Sequence, residues 1–269
     1  NHRRTLKQDH LFLLPMAIGF RSSNPVLNNK FIAKLAGVEL MTLEGSLRKI
    51  GYLLSLVVIT AFVTAAICMN AGEDMFFYAA GFSFLGLIGG LVIALITITS
   101  RPQNPGTLMS LYALFEGVAI GGFSLIFETQ YPGIVLQAAF GTVCITGTMY
   151  FMYASRIIRP TPMFNKVIGG LVISIMFLYL TSFILNLATG YDVPFLHTSG
   201  PIGIGVTLMI LIVASLTLIS DFGFIESGVK YGAPKNMEWY AAFGILVSLI
   251  WIYIETLRLL SKLRTFVQD

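Results

Sequence analysis

The sequence predicts an all-α integral membrane protein, a bundle of seven transmembrane helices. Three observations predict it. Hydrophobic residues make up 56% of the chain and charged residues 11%, where a soluble domain carries about 25% charge. Mean hydropathy is +0.81, more apolar surface than a water-soluble fold can hide. The apolar residues also fall into seven runs, each long enough for the roughly 20 residues that a spanning helix needs.

Three segments divide the chain. Residues 1–47 read as an N-terminal cytoplasmic segment, 48–264 as the transmembrane domain and 265–269 as a C-terminal tail. Within the first, residues 1–15 read as extraneous to a natural start at Met16. A signal peptide is the rival reading, because Arg3, Arg4 and Lys7 precede the apolar Leu11–Phe20, but no small-residue cleavage site follows. Ser22–Pro25 signals a turn, and residues 21–47 are polar enough to lie outside the bilayer.

The predicted spans are 50–70, 76–99, 107–128, 133–155, 167–189, 202–223 and 238–260. Turn-rich connectors separate them: Asn70–Met75, Ser100–Gly106, Glu128–Pro132, Arg156–Lys166 and Gly190–Gly200, then a connector holding Gly228, Gly232 and Pro234. Lys and Arg mark every second connector. Arg48 and Lys49 precede span one, and Arg101 follows span two. Arg156, Arg159 and Lys166 follow span four, and Lys230 and Lys235 follow span six. The alternate connectors carry Glu73 and Asp74, Glu128, and Asp192. By the positive-inside rule the N-terminus is cytoplasmic. Arg258, Lys262 and Arg264 disagree if span seven crosses fully, so a re-entrant span seven is the alternative to a crossing one. Gly86 and Gly90 in span two, and Gly117 and Gly121 in span three, form GxxxG pairs that predict close helix packing.

Several function classes are excluded or weak. The net charge of +4 does not point to nucleic acid, because the basic residues sit at the ends of apolar runs. Cys68 and Cys144 lie inside apolar runs and read as small hydrophobes. HExxH, GxSxG, Walker and CxxC motifs are missing, and His2, His10 and His197 all lie outside the spans. The chain does not read as an enzyme, and it calls for no cofactor.

The residues that demand a further reason are carboxylates inside apolar runs, since an ionisable group in a membrane costs several kcal/mol unless paired or facing water. Asp221 closes run six and Glu255 lies near the far end of run seven. Two carboxyls brought together in a low-dielectric site do not both ionise easily. Such a pair is a pH-dependent latch, closed while it shares a proton and loosened when both are charged. The ionised pair also offers oxygen ligands to a hard cation such as Ca²⁺. Arg258, three residues after Glu255, is a partner that competes for it. The structural alternative is that Glu255 merely pairs with Arg258 near a helix end. Glu116 stands mid-span in run three, as a further site carboxylate or as a protonated, hydrogen-bonded one. Glu226 is the other candidate for an additional site carboxylate, although both it and Glu238 lie near the rim, where solvated surface is the expectation. Glu238 also suits the first turn of span seven, with Asn236 as its cap.

The segments SDFGFIESG (220–228) and YIETLRLLSKLR (253–264) resemble the Bax inhibitor-1 family, the transmembrane Bax inhibitor motif proteins, in its bacterial branch. RSSNPVL, YALFEGVAIGG, YPGI and GAPKNMEWYAAFG fit that branch too, and the resemblance covers about residues 20–264. It implies a seven-helix bundle with the last helix central, and a pH-sensitive calcium leak gated by one aspartate in each of the last two helices. Asp221 matches the first, in a D-x4-E-like setting with Glu226. Glu255 takes the place of the second, one methylene longer than Asp. The 34 residues between them exceed the family's spacing. A hairpin level at both carboxyls would turn near residue 238, whereas the turn signals centre near 234. That leaves a mismatch of about eight residues, roughly 12 Å, with Glu116 as a substitute partner.

The expected function is therefore a slow, pH-sensitive Ca²⁺ leak in a bacterial cytoplasmic membrane, with lipid, Ca²⁺ and protons as its partners. The acidic connectors (Glu73, Asp74, Glu128, Asp192) would raise the local cation concentration. Two alternatives stand beside it. One is a membrane-embedded regulator of a protease or another membrane protein. The other is a proton-coupled transporter of a small solute, in which the same carboxylates serve as a proton relay.

Overall fold

A computed structural model of the chain describes residues 39–268 except 101, 103, 191, 192, 194, 195 and 197. The readings that concern residues 1–38, Arg101, Asp192 and His197 lie outside the described residues. The helices are α1 Leu43–Met69, α2 Met75–Ser100, α3 Gly106–Gln130, α4 Ile134–Ala154, α5 Pro162–Thr189, α6 Pro201–Tyr231 and α7 Met237–Gln268. All seven are long and apolar enough to cross a membrane. A 3₁₀ turn, Gly72–Asp74, links α1 to α2.

Local chemistry sets the ends. Thr42 caps α1 by accepting from Gly45 N at 3.0 Å, so α1 begins seven residues before the predicted span. Thr161 caps α5, with Pro162 at its first position and Phe164 N donating at 3.1 Å. Glu128 accepts from Gly133 N at 2.6 Å and Val135 N at 3.0 Å. Its carboxylate thus caps α4. Gly190 and Gly232 end α5 and α6 in the left-handed region, at φ 72° and 71°.

The glycine pairs are packing devices, as predicted. A Cβ at Gly86 would lie 2.4 Å from Ala119 N on α3, and one at Gly121 would lie 2.5 Å from Ala61 O on α1. The backbones of α1, α2 and α3 therefore meet almost in contact.

Helices α3, α6 and α7 are the most buried, and α2, α4 and α5 expose most of their apolar surface. The last helix lies in the interior and packs principally against α1, α3, α4 and α6. Its outer companions α2 and α5 are held by α3 and α6 in turn. One core joins Leu53, Met109, Tyr112 and Leu246 across α1, α3 and α7, and a second joins Leu211, Leu218, Ile245 and Ile252 across α6 and α7. Phe77, Leu136, Phe140 and Leu187, each more than 70% exposed, mark faces made for lipid.

Helix α7 is one uninterrupted helix of 32 residues, about 48 Å at about 1.5 Å per residue. The re-entrant alternative for span seven gives way to this length. Two of the cations that strained the charge alternation are held by protein groups. Lys262 Nζ donates to Leu196 O, Gly203 O and Thr207 Oγ1 at 2.7, 3.1 and 2.8 Å. Arg264 donates to Pro132 O and Gln137 Oε1, both at 3.0 Å. At the opposite end of the bundle an antiparallel bridge joins Leu40 to Pro234. Met41 N donates to Ala233 O at 2.8 Å and Lys235 N to Glu39 O at 3.0 Å, stitching the start of α1 to the α6–α7 connector.

Candidate functional site

Asp221 lies ten residues before the end of α6, half-buried. Its Oδ2 accepts from Ser248 Oγ of α7 at 2.6 Å. Ser248 Oγ in turn lies 3.0 Å from Thr217 Oγ1, one helical turn before Asp221. The other carboxylate oxygen sits over Gly244, where an added Cβ would come within 3.3 Å of it. Small residues at 244 and 248 thus admit the carboxylate against the α7 backbone.

This carboxylate borders a cavity of about 520 Å³. Pro160, Asn165, Ser220, Tyr240 and Gly244 line it with Asp221. Ser220 Oγ donates to Asn165 Oδ1 at 2.9 Å, tying α6 to α5 at its wall. The lining mixes hydroxyl, amide and carboxylate oxygens, which suits water and hydrated cations.

Glu255 lies elsewhere, 1% exposed. Its Oε1 accepts from Tyr179 OH of α5 at 2.7 Å, and Arg258 Nη1 approaches the same oxygen at 3.7 Å. The Arg258 guanidinium also stacks 4.9 Å from the Tyr179 ring centroid. Glu255 Oε2 is buried with no hydrogen-bond partner among the described residues.

The expected direct pairing of Asp221 with Glu255 is not formed. Asp221 reaches Ser248, and Glu255 stands seven residues further along α7, about 10 Å by helical rise. The cause is the turn. Positions 221 and 248 are level about residue 234, where the turn signals centre, and no unwinding of the connector absorbs the remainder. The two carboxylates are consequently not brought together as ligands of one Ca²⁺. No three His, Cys, Asp or Glu side chains converge on a metal-sized site among the described residues.

The remaining carboxylates divide. Glu116 projects from α3 at Gly90 of α2, where an added Cβ would lie 2.8 Å from its Oε1. It is half-buried and contacts neither Asp221 nor Glu255 by any hydrogen bond or ion pair. Glu226, exposed at the end of α6, accepts from Tyr153 OH of α4. Glu238, expected as solvated surface, is instead fully buried. It pairs with Lys49 of α1 and accepts from Thr42 N and Thr42 Oγ1, both at 2.9 Å. Packing of α7 against α1 overrides its rim position in the sequence. Asn236 does not act as the cap, since its Oδ1 has no hydrogen-bond partner among the described residues.

Sequence reasoning missed Ser248, Tyr179 and Lys262. Ser248 was signalled by arithmetic, being the reflection of Asp221 through the turn near 234. Tyr179 carried no signal, because an aromatic in an apolar run reads as lipid-facing. Lys262 stood at a predicted helix end and looked solvated.

Comparison with curated proteins gave no match, and comparison with solved structures gave none. The family model described as Bax inhibitor 1 like matches residues 22–265. That match takes in all seven helices almost entirely, with both carboxylates and their partners. The chain belongs to the Bax inhibitor 1 like family.

Proposed function

We propose that the protein is a pH-sensitive calcium leak of a bacterial cytoplasmic membrane, with its N-terminus in the cytoplasm. The observation that carries this reading is Asp221, a carboxylate between α6 and α7 that borders the 520 Å³ cavity. Ionised, it places a negative charge and a free oxygen where a hydrated cation can enter. Protonated, it loses that attraction, so acidification lowers the flux.

The latch has two parts in this reading. Asp221 with Ser248 and Thr217 fastens α6 to α7 beside the cavity. Glu255 with Tyr179 and Arg258 fastens α7 to α5 about 10 Å further on. Arg258 is thereby the gate partner of Glu255.

The test is Ca²⁺ entry into dye-loaded liposomes holding the purified protein, across about pH 5 to 8. Asp221→Asn is expected to flatten the pH dependence. Glu255→Gln is expected to change the flux at every pH by weakening the second latch. An unchanged pH profile in Asp221→Asn refutes the sensor. No flux at any pH from folded protein refutes the leak and favours the membrane-embedded regulator. Saturable solute uptake driven by a pH gradient, without Ca²⁺ entry, favours the proton-coupled transporter.

A further inference from the structure

A second recess lies at the bundle end that carries the α6–α7 connector, between the first turns of α1 and α7. Its volume is about 290 Å³, and Arg48, Lys49, Tyr52, Lys235, Glu238 and Trp239 line it with Gly45. Three cations thus face one carboxylate. That carboxylate is already engaged at the back of the recess, where Glu238 is 1% exposed and Lys49 18%. Lys235 makes only a surface pair with Glu39, at 3.1 Å, with the two side chains 41% and 75% exposed. Such a pair is weak and readily exchanged. Arg48 is exposed and pairs with no carboxylate among the described residues. The positive ends of two helix dipoles add to the same field.

The surroundings of the recess select the kind of anion. Trp239 and Tyr52 meet edge to face at 6.0 Å, and Lys49 Nζ lies 5.2 Å from the Trp239 ring. Tyr and Trp of this kind sit at the headgroup level of a bilayer. Tyr52 is 48% exposed, and further along the same face of α1 Ile59 and Val63 are 60% and 52% exposed, an apolar wall running from the recess into the membrane. A cationic recess on top of a lipid-facing wall fits a phosphate that carries acyl chains.

We propose that this recess binds the headgroup of an anionic phospholipid, its phosphodiester held by the Arg48 guanidinium and the Lys235 ammonium. Arg48 offers paired N–H donors to two phosphate oxygens. Lys235 leaves Glu39 to supply a point charge. Lys49 stays with Glu238 and contributes no exchangeable charge. The glycerol and acyl chains lie along Tyr52, Ile59 and Val63.

The test titrates the full chain in neutral detergent with phosphatidylglycerol, phosphatidylcholine or inorganic phosphate, and counts bound molecules by native mass spectrometry. Phosphatidylglycerol is expected to bind at least about ten-fold more tightly than phosphatidylcholine, as two cation contacts of this kind imply. Arg48→Gln and Lys235→Gln are each expected to weaken it about five-fold, at roughly one surface cation contact each. Arg48→Lys is expected to recover most of the loss. Both positions are surface-exposed, so unchanged melting in phosphatidylcholine identifies a folded variant; if Arg48→Gln does not fold, Lys235→Gln alone decides. Equal binding of the two lipids overturns the proposal, as does phosphatidylglycerol binding that both folded variants leave untouched. Inorganic phosphate that displaces the lipid at comparable concentration overturns it too, by making the recess a site for a free anion.

Discussion

Replacing Glu238 by Gln isolates the charge of the α1–α7 junction. The amide keeps an oxygen for Thr42 N and Thr42 Oγ1, which lie 2.9 Å from Glu238 Oε1. It removes the negative charge facing Lys49. Breaking a buried ion pair by deleting one partner costs about 3–5 kcal/mol, because the other charge is left uncompensated. Here the Lys49 side chain is 18% exposed and borders the recess, so water relieves part of that cost. The expected loss is about 2–3 kcal/mol. Glu238→Ala is expected to lose about 1–2 kcal/mol more, since Thr42 N then lacks an acceptor. Denaturation of the protein in mixed micelles measures both, and Trp239, which stacks by Lys49, reports from the junction itself. A cycle with Lys49→Met gives the pairwise term, expected at about 1.5 kcal/mol or more. Glu238→Gln within about 0.5 kcal/mol of the parent, or strict additivity with Lys49→Met, refutes the assignment of this pair as a stabilising junction.

Two further perturbations test other parts of the structure. Gly86→Ala puts a methyl 2.4 Å from the α3 backbone and is expected to cost about 1–3 kcal/mol, whereas Gly81→Ala, with no atom within 4 Å, is expected to leave melting unchanged or slightly raised. Lys262→Met removes the donor shared by Leu196 O, Gly203 O and Thr207 Oγ1, and leaves Gly203 O only its bond from Thr207 Oγ1 on the side-chain side. It is expected to cost about 2–4 kcal/mol and to speed hydrogen exchange around residues 200–205, and unaltered exchange there refutes the cage.

The seven spans were legible because lipid imposes one simple rule, about 20 apolar residues per crossing. The exact ends were less so. α1 starts early because Thr42 is a cap, and α6 runs on to Tyr231 because nothing breaks it before Gly232. The GxxxG pairs were legible as contacts since small residues in membrane helices have few other uses. Which helices they join was not, because spacing along one helix does not name its partner. For the site, Asp221 stood out by the cost of its charge. Its partner did not, because a serine costs little in an apolar run and so leaves no mark. Glu238 shows the reverse error. A carboxylate near a helix start looks solvated until another helix is known to cover it.

The junction of Thr42 and Lys49 with Glu238 also bears on the order in which the bundle is completed. Lys49 and Glu238 are 189 residues apart in the chain. At about 5–20 residues per second, a ribosome takes on the order of 10–40 s to supply the counter-ion after Lys49 emerges. During that time α1 is in place with an unneutralised ammonium near its start and an unfilled groove along its flank. The groove that α7 finally fills is shaped by α1, α3, α4 and α6, all of which precede it. Among the seven described helices the interior one is therefore a keystone, added after the other six, and its first turn locks to the start of α1.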